Sequence, residues 1–215
     1  MSYKTIYKQA NGELIEKKSK FIANCKPVSS KAEAEEFIAQ IRKEHSTATH
    51  NVFAYRVMEQ NMLIERQSDD GEPSGTAGMP ILNLLKGENL IGLVVLVTRY
   101  YGGTLLGTGG LVKAYGGCAK LGVIEAGIIE KNLYHYINVE TVYTLSGKVQ
   151  NEISQSHHIL KDIVYTDCVE FLVYTKAEDS NNFIKEMTDI TGGNAKIKTL
   201  EEIYGFWLNG EFYPS

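Results

Sequence analysis

Between residues 50 and 113 the chain gathers the side chains from which an anion site or an acid–base centre is built. The segment Ser68-Asp-Asp-Gly-Glu-Pro-Ser-Gly-Thr76 holds Asp69, Asp70 and Glu72 close together. Such a group can ligate Mg²⁺ or serve as acid and base. Asp-Gly is equally an ordinary turn signal, and Ser74 or Thr76 can cap a following helix. The EF-hand spacing is absent. His50, a few residues after His45, begins a candidate strand and joins the acidic loop in a polar cluster if a hairpin folds the two together.

The second concentration is Thr98-Arg-Tyr-Tyr-Gly-Gly-Thr-Leu-Leu-Gly-Thr-Gly-Gly-Leu-Val-Lys113. Its context reads as strand, glycine loop, helix. Free amides and the positive dipole end of a helix suit a phosphate or another anion. The candidate phosphate or nucleic-acid contacts are Arg99, Gly102, Gly103, Gly107, Gly109, Gly110 and Lys113. His50, Asp69, Asp70, Glu72, Tyr100 and Tyr101 are expected to shape the adjoining cleft. The run is no P-loop, because GK[ST] is missing, and no GxGxxG, because Val112 stands where the last glycine belongs. A close-packed strand-to-helix connection explains the same glycines. Exposed tyrosines beside basic groups can stack bases, and Tyr100, Tyr101 and Tyr115 qualify unless they are buried.

Other chemistry is thin. No GxSxG elbow and no Cys/His nucleophile pair is evident. Cys118 falls on the apolar side of a helix and reads as packed. His157 and His158 end a helix, where they face solvent or its dipole. Neither a resident metal nor a cofactor is expected.

The elements that position these residues follow from hydrophobic periodicity. A strand or strand pair is expected over 13–28, and Ser30 with Glu33 has the capping-box pattern before a helix carrying Ala34, Phe37, Ile38 and Ile41. His50–Met58 and Met62–Arg66 read as a hairpin. A short helix follows, with Pro80 in its first turn and Gly87 at its end. Leu90–Arg99 is a buried strand, and Leu111–Glu125 a helix with Leu111, Ala114, Tyr115, Cys118 and Leu121 on one side. After it the order is strand (134–143), helix (Leu145, Val149, Ile153), hairpin around Thr166-Asp167, helix (Phe183, Ile184, Met187, Ile190) and a strand within 195–208. That is a βαββαβ order.

Composition agrees with an ordinary globular chain: 215 residues, 43% hydrophobic, 22% charged, with a formal net charge of -4. A generally basic nucleic-acid binder is excluded, a local basic patch is not. Three cysteines without zinc spacing, and no apolar leader, point to a cytoplasmic protein with reduced thiols. The longest apolar run is far short of the ~20 residues a membrane-spanning helix needs. Fourteen of the 20 glycines lie between Gly71 and Gly127, and the acidic excess lies after residue 130. Two domains are expected, 1–132 and 133–215.

The blocks Asp69–Leu82, Arg99–Tyr115 and His50-Asn-Val-Phe-Ala-Tyr55 resemble the signature of the IMPACT family in its bacterial form. The resemblance implies an α+β protein. Its first domain would have the ribosomal protein S5 domain 2-like fold, and its second a ferredoxin-like fold similar to a domain of elongation factor G. Eukaryotic relatives regulate translation by competing for a ribosome-associated activator of a starvation-sensing kinase, using an additional N-terminal domain. This chain starts directly with the shared domain, so that kinase role is not expected to carry over. The expectation is a non-enzymatic regulator or binding protein linked to translation, with RNA or ribosome-associated factors as partners. An enzyme acting on a phosphate-bearing small molecule, and a protein-interaction module docking through the acidic half, are the alternatives.

Overall fold

Ser30 opens the first helix as the spacing predicts. Its hydroxyl accepts from the Glu33 amide, and the Glu33 carboxylate returns to the Ser29 amide at 2.7 Å. That helix, α1 (Lys31–Glu44), turns Phe37, Ile38 and Ile41 inward. In the computed structural model, which describes residues 2–215, the chain divides into two units, Tyr3–Glu130 and one centred on Lys131–Ser215.

The first unit is built on an antiparallel sheet in the order β2-β3-β6-β4-β5. Its strands are β2 (Ala10–Glu16), β3 (Ser19–Pro27), β4 (His50–Glu59), β5 (Met62–Ser68) and β6 (Leu93–Tyr100), preceded in the chain by β1 (Ser2–Ile6). Leu93, Val95 and Val97 of β6 face one way into a core with Phe21, Ile81 and Tyr115. Val94 and Leu96 face the other way, into a second core with Phe37 and Ile41 of α1. A strand covered on both faces has no solvent side, so its sequence is a continuous apolar run.

Helices α2 (Gly78–Gly87) and α3 (Gly107–Ala126) cover the first of those faces. The start of α3 differs from the sequence expectation: Gly107–Gly110 form its first turn, not the end of a loop. Glycine's poor helix propensity hides that turn in the sequence. Leu121 is 40% exposed rather than inward, because the buried stripe runs through Cys118, Ala119, Gly122 and Val123. There Gly122 lets α3 meet the backbone of Gly12: a Cβ built on Gly12 would lie 2.5 Å from the Gly122 amide nitrogen.

The second unit contains β7 (Ile128–Thr141), α4 (Tyr143–Gln155), β8 (Ile159–Tyr165), β9 (Val169–Lys176), α5 (Ser180–Ile190), β10 (Lys196–Leu208) and β11 (Glu211–Pro214). The sheet order is β11-β10-β7-β9-β8, with antiparallel neighbours. Its core joins Ile137, Val139, Phe171 and Val173 to Val149, Ile153 and Phe183. The described residues thus form a mixed α/β protein with two sheets and five helices. Among the described residues no helix is long and apolar enough to cross a membrane.

Candidate functional site

Arg99 sits near the end of β6, the central strand of the first sheet, where it pairs with Phe21 of β3 on one side and His50 of β4 on the other. Its guanidinium lies over two rings, 5.4 Å from the centroid of Phe21 and 5.5 Å from that of Tyr101. Cation–π contacts of this kind hold the guanidinium in place while its N–H groups hydrogen-bond. Nη1 donates to Glu72 Oε1 at 2.6 Å and Nη2 to Ser19 Oγ at 3.4 Å. Nε is buried and has no partner.

Glu72 is almost completely enclosed, with its side chain 4% exposed. The same Oε1 accepts from the Tyr115 hydroxyl at 2.7 Å and lies 3.8 Å from His50 Nε2. Burial, and then the bond to Glu72, push the Tyr115 phenol far above its usual range, so it stays a proton donor. His50 is held by its other nitrogen, Nδ1, 2.8 Å from the Asp70 carbonyl. A carbonyl only accepts, so Nδ1 carries a hydrogen, and in the neutral tautomer this fixes, the lone pair is on Nε2.

Arg99, Glu72 and His50 line a cleft of about 380 Å³. Arg99, Glu72 and His50 meet Gly107 and Thr108 there, at the start of α3, with Tyr101 and Leu105 among the walls. No side chain caps α3 at that end. Its first amides therefore have no intrahelical partner and the positive dipole end faces the same space.

The other residues singled out in the sequence are used differently. Asp69 is the cap of α2: Oδ1 accepts from Ala77 and Gly78, and Oδ2 from Gly75, at 2.8–3.1 Å. Ser74 and Thr76 do not cap it. Asp70 accepts from the Asn51 amide at 2.7 Å and pairs with Arg42 at 2.8 Å. The three carboxylates thus diverge, and among the described residues no His/Cys/Asp/Glu group could hold a metal ion. Tyr100 turns away to His45, its hydroxyl 2.9 Å from Nδ1. Tyr115 is buried rather than available for stacking.

Of the glycines, Gly102 is needed for packing, since a Cβ there would lie 2.1 Å from the Lys18 carbonyl carbon. Gly103 and Gly107 have φ of +81° and +73°. Gly109 has open space around it, and at Gly110 a Cβ would reach 3.0 Å from Leu106 Cβ. Lys113 is exposed farther along α3 and does not line the cleft. Sequence reasoning missed Thr108 and Leu105 as lining groups and Tyr115 as the donor to Glu72; only the glycines around Thr108 signalled that this backbone is special.

Residues 17–123 match the family model of the Impact N-terminal domain, and residues 139–194 that of a domain of unknown function, DUF1949. Over 203 residues the chain is 42% identical to IMPACT family member YvyE of Bacillus subtilis (strain 168), covering 94% of this chain and 93% of that one. The chain belongs to the IMPACT family. IMPACT family member YigZ of Escherichia coli (strain K12) is 31% identical over 187 residues, 86% of this chain and 92% of that one. Protein IMPACT of Xenopus laevis is 37% identical over 102 residues, 45% of this chain and 32% of that one. A solved structure described as that of an hypothetical protein matches with TM-score 0.59 and 30% identity, over 93% of this chain and 98% of that one. The IMPACT-type match in the first unit spans every cleft residue described above.

Proposed function

We propose that this chain is a non-enzymatic binding protein linked to translation, acting in the cytoplasm, and that its first unit holds phosphate groups of RNA at the Arg99 cleft. One observation carries this reading. A buried arginine whose Nε has no partner and the uncapped start of α3 line the same cleft. The arginine brings positive charge and the helix start brings free amides, and an anion in the cleft complements both. We read the units as domains 1–132 and 133–215, the first S5 domain 2-like and the second ferredoxin-like. The order β10-β7-β9-β8, or 4-1-3-2 within a βαββαβ chain, supports the latter.

The test is a titration of labelled single-stranded RNA at several salt concentrations. Few phosphate contacts predict a shallow slope, on the order of one to three released counterions. No binding even at low salt would overturn the reading. A second reading, an enzyme on a phosphate-bearing small molecule, draws on the Nε2 lone pair of His50 beside Glu72. Turnover abolished by His50→Ala with the fold intact would put it first.

A further inference from the structure

We propose that the cleft receives a terminal phosphate monoester at an RNA end and not an internal phosphodiester; this rests on the phosphate-binding reading above. Depth is the first argument. The Arg99 side chain is 5% exposed and that of Glu72 4%. An internal phosphodiester carries a sugar on either side and meets its partners on open ridges or grooves. A chain end enters a cleft point-first, as recessed side chains of this kind require.

The second argument is the mixture of donors and acceptors. Arg99 supplies positive charge at the cleft wall, and the first amides of α3 donate. Glu72 and, in its neutral form, His50 Nε2 present acceptors to the same space. Acceptors repel a fully ionised anion, and a diester has no proton to offer them. A monoester, whose second pKa is about 6, exists partly as a monoanion with one P–OH. That hydrogen can be donated to His50 Nε2 while the remaining oxygens take the donors. The repulsion from Glu72 is reduced, because Arg99 offsets its charge and the Tyr115 hydroxyl occupies a lone pair of Oε1.

The third argument is the rim. Leu105 is 82% exposed and Tyr101 46%. They give the terminal nucleoside an apolar surface just outside the phosphate position.

The experiment compares single-stranded RNA 12-mers of one sequence, ending in a 5′-phosphate, a 3′-phosphate or hydroxyls at both ends. The fluorophore is internal, and adenosine monophosphate serves as competitor. One phosphorylated end is expected to bind at least ten-fold more tightly than the hydroxyl-ended strand, and the mononucleotide to displace it. Thr108→Glu places a carboxylate at the start of α3, where it stabilises the helix and occupies the anion position. It is expected to erase the advantage of the phosphorylated end without lowering the melting temperature. Equal binding of all three strands would overturn the end-group inference and leave the phosphate-binding reading standing. No binding by any strand or by the mononucleotide would overturn both. Mononucleotide binding with no RNA bound would also overturn the inference and make the ligand a free nucleotide.

Discussion

Arg99 Nη1 and Glu72 Oε1 lie 2.6 Å apart, in two side chains more than nine-tenths buried. One charge comes from the central strand and the other from an acidic loop 27 residues earlier. Removing one partner strands the other in a poorly solvated place. Glu72→Ala is therefore expected to cost about 3–5 kcal/mol in urea unfolding. The double variant Arg99→Met with Glu72→Leu should recover much of that loss, because it leaves no buried charge.

Asp69 ties three amides at the entrance to α2. Asp69→Ala leaves those donors without their acceptor and is expected to lower stability by about 1–3 kcal/mol. Hydrogen exchange at Gly75, Ala77 and Gly78 should quicken before the rest of the first unit responds. Asp69→Asn, which keeps one acceptor oxygen, should fall between.

Two glycines of α3 predict opposite signs. A Cβ at Gly109 meets nothing within 4 Å, so Gly109→Ala should raise stability by about 0.5–1 kcal/mol through the reduced freedom of the unfolded chain. At Gly122 the Cβ would lie 2.7 Å from Cys25 Sγ and 2.9 Å from Ala23 Cβ. Gly122→Ala should lose about 1–3 kcal/mol despite alanine's better helix propensity. Thermal unfolding of the two variants side by side checks the contrast.

The thiols should differ sharply in reactivity. Burial pushes Cys25 and Cys118 up to about 12, so neither is a thiolate at pH 8. Cys168 is partly exposed. An aromatic disulfide reagent at pH 8 should titrate one thiol in the native protein and three after denaturation.

His158 predicts a pH effect in the second unit. Its ring contacts Phe183 and His157, and Nδ1 is hydrogen-bonded to the Thr175 hydroxyl. Burial first, and the neighbouring His157 second, hold its pKa below 6.5, against a weaker opposing effect of Asp179. The unfolded chain then takes up the proton at higher pH than the folded one. Its contribution is complete above about pH 6.5 and is lost as pH falls through the lowered folded value. The stability difference between wild type and His158→Asn should shrink from pH 7.5 to pH 5, as measured by urea unfolding.

The sequence made the elements more legible than the site. Ser30 with Glu33, the run Leu93–Val97 and the turn at Thr166-Asp167 each carry a local signal, and each marks the expected element. β1 and β11 have too few residues for a periodic pattern and passed unnoticed. Within the site, the types Arg, Glu, His and Gly were visible, but their relations were not. Nothing near Asp69 says that its carboxylate reaches amides as far as nine residues on. Nothing near Arg99 says that it is enclosed by Phe21 and Tyr101 rather than open to solvent. Such facts depend on which strands pair, and pairing across 80 positions leaves no periodicity to read.

The position of β6 between β3 and β4 has a consequence in time. A chain made from its N-terminus at roughly 5–20 residues per second produces the β2–β3 and β4–β5 pairs before β6 exists. Until residue 100 has left the ribosome, β3 and β4 each have an unpaired edge facing the gap that β6 will fill. Open edges of this kind pair readily with a neighbouring chain. The first unit thus passes through an interval of about 2–6 s, the time needed to add residues 69–100, in which the gap in its sheet stands open.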